Sequence, residues 1–198
     1  MPERFQSKVI SNENITDDIK HLVLTTPNNF TFLPGQYISI IADSKEKKLR
    51  RPYSICSNPI KNKIELCIKI IPNGALTPQI NNLKQGDKLE ILGPLGTFRI
   101  KDKEKKLIFI STGTGIAPFR SMIKDLLKNN HKKQITLIAG YKNNPLYDKE
   151  FKSLSRKHAN LTYKTALSSK GKRVIDLLPI NPEADYYLCG LKEMIDSV

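Results

Sequence analysis

The stretch that most constrains the fold is Leu107-Ile108-Phe109-Ile110, followed at once by Ser111-Thr112-Gly113-Thr114-Gly115-Ile116-Ala117-Pro118. A short continuous apolar run fits a strand buried on both faces, as in parallel sheets. Pro118 suits a first helical turn. Phe119, Met122, Ile123, Leu126 and Leu127 then fall on one face at helical spacing, predicting a helix over 117–130. A glycine-rich turn between a buried strand and a helix lets a ligand approach the backbone at Gly113 and Gly115. It is not a full G-x-G-x-x-G, because Pro118 holds the third place. A purely structural turn is the alternative, but such a turn has little use for two glycines and two threonines.

The residues beyond repeat this logic. Ile135–Ala139, Leu161–Ala166 and Asp185–Cys189 read as further strands, and Asp148–His158 as a helix, so 103–198 is expected to be a doubly wound parallel α/β domain. The first hundred residues read differently. His21–Thr25, Tyr37–Ile41 and Lys88–Leu92 are short strands between Pro/Gly turns. Ile64–Ile70 alternates, with Ile64, Leu66, Ile68 and Ile70 on one face and Glu65, Cys67 and Lys69 on the other. Residues 1–102 are therefore expected to form an antiparallel β-barrel or sandwich, joined to the second domain by the charged stretch Lys101–Lys106.

Composition excludes several classes. The net charge of +14 is spread along the chain. A lysine- and asparagine-rich solvated surface explains it, as does a docking face for an acidic protein. No zinc-finger or RNA-binding signature accompanies it, so no nucleic-acid partner is expected. No apolar run approaches the roughly 18 residues of a membrane span, and Met-Pro-Glu-Arg-Phe offers no apolar leader. Cys56, Cys67 and Cys189 form no C-x-x-C spacing, which speaks against a zinc or iron–sulfur site and fits a reducing cytoplasm. His21, His131 and His158 read as surface or strand residues, with no catalytic His pair or carboxylate dyad.

Three further motifs carry chemistry. In Arg51-Pro52-Tyr53-Ser54, arginine offers a fork for phosphate, tyrosine a flat face and serine a hydroxyl; an arginine and a tyrosine at a strand edge are the plain reading. In Gly74-Ala75-Leu76-Thr77-Pro78, Thr77 reads as the N-cap of a short helix, Pro78–Leu83. That helix start either meets an anion or simply plugs the barrel. Leu188-Cys189-Gly190 ends the fourth parallel strand, where α/β ligands sit; a small buried cysteine is the alternative.

In order, R-x-Y-S at Arg51–Ser54, G-x-x-[ST] at Gly74–Thr77, G-P-x-G-x-F at Gly93–Phe98, G-T-G-x-A-P at Gly113–Pro118 and Cys189-Gly190 resemble the ferredoxin–NADP reductase superfamily over nearly the whole chain. Residues 72–87 look most like the bacterial ferredoxin (flavodoxin)–NADP reductases. The resemblance implies an N-terminal flavin-binding β-barrel. Arg51, beside Pro52, would bind a flavin phosphate, Tyr53 would stack on the isoalloxazine, and Ser54 would hydrogen-bond near N5. The backbone of Ile68, Lys69 and Ile70 would meet the flavin's polar edge. Gly74, Ala75, Leu76 and Thr77 would hold the pyrophosphate of FAD. Gly113, Thr114 and Gly115 would contact the nicotinamide nucleotide, with Cys189 and Gly190 beside its ring. Tyr53, Ser54 and Cys189 would then stand at the reacting atoms, and no metal is implied.

The implied activity is hydride transfer between NADPH or NADH and FAD, with single electrons passing between FAD and an acidic carrier, ferredoxin or flavodoxin. An NAD(P)H:flavin reductase that releases its flavin fits the same motifs, as does a non-catalytic electron-transfer or regulatory subunit. Two departures stand out. Where NADP-preferring members carry an S-R pair after the third strand, this chain reads Ser168-Ser169-Lys170-Gly171-Lys172-Arg173. Ser168 and Lys170 are the candidates there, lysine as a point charge rather than a fork, and both nucleotides stay open. Lys192–Val198 reads as the first turns of a helix, where family members continue to a fifth strand. The expectation is an α/β domain shortened at its C-terminus, with four parallel strands, an exposed edge and a flavin face open on the nicotinamide side.

Overall fold

The computed structural model describes residues 2–43 and 48–198. Six strands form the first sheet: β1 (Glu3–Thr16), β2 (Ile19–Thr25), β3 (Tyr37–Asp43), β4 (Lys48–Ser54), β5 (Lys63–Lys69) and β6 (Lys88–Leu95), in the order β4-β3-β6-β1-β2-β5 among the described residues. All pairs are antiparallel. β1 turns the corner of this sheet. Its first part pairs with β6 over 3–8 and its second with β2 from Val9 onward, with register shifts between Val9 and Ser11 and between Asn14 and Thr16. Such bulges bend a strand and increase its twist. The curl brings the outer strands together: Ile55, just past β4, bridges Leu66 of β5, and the Cys56 N–H donates to the Glu65 carbonyl at 2.8 Å. The expected barrel is thus a sheet closed at one short seam.

The alternation in 64–70 sets the interior. Ile64, Leu66 and Ile68 are fully buried with Leu22, Leu24, Ile38, Ile40 and Ile91. The helix α1 (Thr77–Asn82) plugs this core through Ile80, with Leu76 buried just before it. Two local expectations need correction. Leu76, not Thr77, holds the N-cap position of α1. The Thr77 hydroxyl instead closes its own loop, donating to the Ile71 carbonyl at 2.9 Å and accepting from the Ile71 N–H at 3.0 Å. The second concerns residues 3–16, where the sequence carries no legible strand pattern although β1 runs there. Ser7 occupies an inward position of β1, fully buried, with its hydroxyl on the Thr25 carbonyl at 2.7 Å. A hydrogen-bonded serine in a core position hides the period-two signal.

The second sheet is parallel: β7 (Lys106–Thr112), β8 (Ile135–Tyr141), β9 (Leu161–Leu167) and β10 (Ala184–Cys189), in the order β10-β7-β8-β9. Leu107 and Phe109 face one layer, with α2 (Ile116–Lys128) and α3 (Asp148–Lys157) supplying Phe119, Met122, Ile123 and Phe151. Ile108 and Ile110 face the other, against Val174 and against Met194 of α4 (Lys192–Ser197). This is the doubly wound arrangement with four parallel strands that the pattern predicts. The strand order reverses between β7 and β10, which opens a crevice at their carboxyl ends. No helix among the described residues is long and apolar enough to cross a membrane.

The core beneath α2 and α3 also contains Ile19, Cys56 and Cys67 from the barrel, so apolar packing is continuous across the junction. Phe119 is fully buried in it, with ring centroids 5.0 Å from Phe109 and 5.9 Å from Phe98. Phe119→Ala is expected to cost about 3–5 kcal/mol of unfolding free energy, the usual loss for a buried aromatic. Urea denaturation followed by circular dichroism checks it.

Candidate active site

The crevice between β7 and β10 opens into a cleft of about 780 Å³. Its walls come from both halves of the chain. The barrel contributes the β1–β2 turn, Thr16 to Ile19, and Lys69 at the end of β5; the parallel sheet contributes the loops that follow its strands. The glycine-rich turn forms part of the wall through Thr112, Gly113 and Thr114. Gly113 has φ +54°, a left-handed conformation that favours glycine, and a Cβ there would meet nothing within 4 Å. Gly115 instead has no room for a Cβ, because one would run into the Cys189 carbonyl. Thr112 Oγ1 accepts the Leu191 N–H at 3.0 Å, stitching the loops after β7 and β10 together.

The start of α2 carries no side-chain cap and no acidic residue in its first turn. A helix N-terminus with open space before it is electrostatically suited to an anion. The Ile116 N–H is already taken by the Gly113 and Thr114 carbonyls, so it is the basic lining of Lys69, Lys142, Lys172 and Arg173 beside the open Gly113 that suits the cleft to a phosphorylated ligand. Thr114 is half-buried in the turn and lines the cleft. Cys189 lies against Gly115, with its thiol raised by burial, so at neutral pH it is a neutral, polarizable group rather than a thiolate. Gly190 follows it, exposed at the loop. Ser168 lines the cleft, as do Lys142, Lys172 and Arg173, but Lys170 is not in its wall: it sits on the exposed 168–170 turn. Lys142, just past the end of β8, is a cleft residue that no motif marks in the sequence; its place after a parallel strand is the signal that points to it.

The barrel candidates cluster on two edges. Arg51 and Pro52 are exposed on β4, the Arg51 guanidinium donating to the Arg50 carbonyl at 3.0 Å. Tyr53 and Ser54 are half-buried. Burial raises the Tyr53 phenol, against the opposing pull of Arg51. None of these four lines the cleft just described. On β5, Ile68 is inside the barrel, while the Ile70 N–H is held by the Asp18 carbonyl at 2.7 Å. In an antiparallel ladder the intervening residue points its backbone groups the other way, so Lys69 presents its N–H and carbonyl to that edge. Gly74 and Ala75 shape the turn before α1, with the Gly74 N–H on the Ile71 carbonyl at 2.9 Å. An exposed guanidinium, a half-buried phenol and a serine hydroxyl are chemically suited to a phosphate-bearing aromatic cofactor.

A polar cluster that the sequence did not reveal joins the two halves. Arg120 of α2 is 6% exposed. Its Nη1 donates to Glu65 Oε2 at 2.6 Å and to the Cys56 carbonyl at 2.9 Å, while Nε and Nη2 grip the Glu150 carboxylate at 2.6 and 3.1 Å. The Tyr147 ring lies under the guanidinium, 4.6 Å from ring centroid to Cζ, and its hydroxyl meets His21 Nδ1 at 2.9 Å. Ligand atoms of His21, Cys56 and Glu65 lie within 4.8 Å of one another; Cys56 and Glu65 both meet the Arg120 guanidinium, and His21 Nε2 stands 3.6 Å from Glu65 Oε2. Burial opposes ionisation of Glu65 and Glu150, but Arg120 outweighs it and holds both carboxyls below their usual range. Burial also lowers His21, against the pull of Glu65, and pushes the Cys56 thiol up to about 11.

Residues 6–100 match the oxidoreductase FAD-binding domain family, and residues 109–198 match the oxidoreductase NAD-binding domain family. The chain belongs to the ferredoxin–NADP reductase superfamily that these two domains make up in tandem. It is 33% identical to the reductase component of phenol 2-monooxygenase from Pseudomonas sp. (strain CF600), over 98% of this chain and 60% of that protein. It is 32% identical to Protein RfbI of Salmonella typhimurium, over 96% of this chain and 61% of the relative. The chain thus spans about three fifths of the length of the curated relatives it matches. Among solved structures, ferredoxin-NADP+ reductase from Plasmodium falciparum with 2'P-AMP superposes with a TM-score of 0.85 at 26% identity, over 97% of this chain and 88% of that one.

The junction predicts a pH dependence. His21 binds its proton less readily folded than unfolded, so the unfolded state holds more protons below its ordinary 6.5, and stability falls as pH drops through that value. Glu65 and Glu150, held below 4.5, add a second loss as pH falls through the carboxylate range. The melting temperature is expected to decline between about pH 7 and pH 5.5 and to decline less in His21→Gln. Melting curves across that range check it; equal slopes for the two proteins would exclude His21 as the source.

Proposed function

We propose that this chain is the flavin- and nucleotide-binding part of an NAD(P)H-dependent reductase, with the two domains joined at 102/103. FAD is held by the barrel, NADPH or NADH by the cleft, and single electrons leave to a ferredoxin or flavodoxin. The observation that carries this reading is the two-sided cleft, in which a barrel edge faces the Gly113–Gly115 turn. The tandem of FAD-binding and NAD-binding domain families supports it, as does the description of one relative as a monooxygenase reductase component. Three free cysteines fit a cytoplasmic setting.

When bound, the flavin supplies two-electron acceptance from a nicotinamide and one-electron release to a carrier. The chain's own work is binding, orientation and exclusion of water. Arg51 neutralises phosphate charge, and Tyr53 offers its ring face with Ser54 beside it. Lys69 turns backbone groups to the flavin's edge, and Gly74, Ala75, Leu76 and Thr77 shape the pyrophosphate turn. Since the Thr77 hydroxyl is engaged with Ile71, backbone groups there do the holding. Gly113, Thr114 and Gly115 admit the nucleotide's phosphates, with Cys189 and Gly190 closing the nicotinamide side. Lys142, Lys172 and Arg173, with Ser168, form the basic wall that would favour a 2'-phosphate. No side chain is needed as a general base. The +14 charge suits an acidic electron carrier.

The test is the spectrum of the purified protein. Bound FAD that bleaches anaerobically with NADH or NADPH, followed by ferredoxin- or flavodoxin-dependent turnover, is the expected outcome. A colourless protein that reduces added free flavin would make it a flavin reductase. Bound flavin that neither nucleotide bleaches would make it a non-catalytic module. Arg51→Ala is expected to weaken flavin retention by about tenfold or more, the worth of one hydrogen bond to a charged group. Lys172→Ala should leave flavin in place and weaken NADPH more than NADH. Equal flavin loss in both variants, measured by fluorescence of released FAD, would break the assignment.

A further inference from the structure

We infer that Arg120 is a positioning residue for the reaction proposed above, on which this inference rests: it fixes where the Gly113–Gly115 turn stands relative to the Tyr53–Ser54 segment. The connection is short and rigid at both ends. Cys56, whose carbonyl Arg120 holds at 2.9 Å, lies two residues beyond Ser54. The segment between is pinned: Ile55 N–H donates to the Gln36 carbonyl at 3.0 Å and Cys56 N–H to the Glu65 carbonyl at 2.8 Å. At the other end, Arg120 sits in the first turns of α2, whose start, Ile116, follows Gly115 directly. One buried guanidinium thus ties the strand that would carry the flavin ring to the helix that begins at the nucleotide turn.

The geometry leaves the guanidinium little freedom. Glu65 and the Cys56 carbonyl take Nη1 from the barrel side, and Glu150 takes Nε and Nη2 from α3. Lys124, one turn further along α2, holds the same Glu150 at 2.9 Å. Tyr147, at a left-handed φ of 56° just before α3, lies against the guanidinium face. A planar fork held on two edges and one face defines an orientation as well as a distance; a lysine offers a point charge and cannot do the same. Hydride transfer between two bound rings is steeply sensitive to their placement, so a displacement of about 1 Å can slow it by a factor on the order of 100. Arg120 touches neither ring in this assignment, and its effect runs through the two segments it joins.

Arg120→Lys, Arg120→Gln and Glu65→Gln test this, with the neutral double variant Arg120→Gln/Glu65→Gln serving if the single arginine change does not fold. Each is loaded with FAD and mixed anaerobically with NADH and NADPH in a stopped-flow spectrometer. The expected result is retained flavin and nucleotide Kd values within about threefold, but flavin reduction slowed by roughly tenfold or more. Arg120→Lys should be slowed least. The long-wavelength absorbance of the nicotinamide–flavin pair should weaken in parallel. In flavin-free protein, hydrogen exchange should quicken in 54–57 and 113–121 and stay unchanged in β3 and β6. Unchanged reduction rates in folded, flavin-loaded variants would overturn the inference, as would slowing fully explained by lost flavin or nucleotide binding. If neither nucleotide bleaches the unmodified protein, the functional reading itself fails and this inference falls with it. Bleaching at one rate in all proteins would sink the inference alone.

Discussion

A guanidinium that is 6% exposed has lost nearly all its water, and transferring such an ion inward costs several kcal/mol unless every donor finds a partner. In this chain the partners come from four places: β5 through Glu65, the loop after β4 through the Cys56 carbonyl, α3 through Glu150, and the residue before α3 through the Tyr147 ring. Removing Glu65 or Glu150 leaves charge uncompensated in a dry junction. Apolar packing of Ile19, Cys56 and Cys67 against the α2 layer holds the halves together, but it is non-directional. The Arg120 cluster adds the directional part, so the two halves meet in one orientation rather than several.

The shape of the cleft follows from that orientation through β5. Its alternate residues Ile64, Leu66 and Ile68 fill the barrel, which sends Glu65, Cys67 and Lys69 to the opposite face. Glu65 and Cys67 lie in the junction, and Lys69, two residues further, reaches the lip of the cleft. One strand therefore anchors the contact and sets the edge of the opening. The β1–β2 turn overhangs the parallel strands for the same reason: Ile19, paired with Lys69 in the ladder, is itself part of the shared core. A slip of one residue between β2 and β5 would exchange these faces, losing the barrel interior, the junction and the lip together.

Much of this could be read from the sequence because the elements concerned have strong periodicity. The runs at 64–70, 107–110 and 117–127 carry signals that tertiary context does not reverse, and the glycine-rich turn could be placed by what flanks it. β1 lacks such a signal because Ser7 fills a core position through a hydrogen bond to Thr25 rather than through apolarity. Thr77 does not cap α1, because its hydroxyl has a nearer partner in Ile71. The junction was invisible for a different reason. Glu65, Arg120 and Glu150 are charged residues at positions that pattern reading assigns to solvent, and only the fold brings residues so far apart in the chain to one point. Lys170 and Lys142 show the same limit on a small scale: which lysine lines a cleft depends on how loops leave their strands.

The two sides of the candidate site are built from different materials, and this determines what substitution can change. On the nucleotide side the anion-accepting features are backbone: the open space at Gly113, the uncapped start of α2, and the close approach of Gly115 to the end of β10. Few substitutions outside the glycines can remove them. What surrounds that backbone is variable in kind, since Lys142, Lys172 and Arg173 reach the cleft from loops after different strands. Each is a long side chain that can be exchanged without disturbing β7, α2 or the Arg120 junction. On the function proposed above, substitutions at these three positions would change which phosphorylated nucleotide is preferred and leave that backbone in place. Its geometry toward the barrel depends on a buried cluster in which no partner can be changed singly without cost.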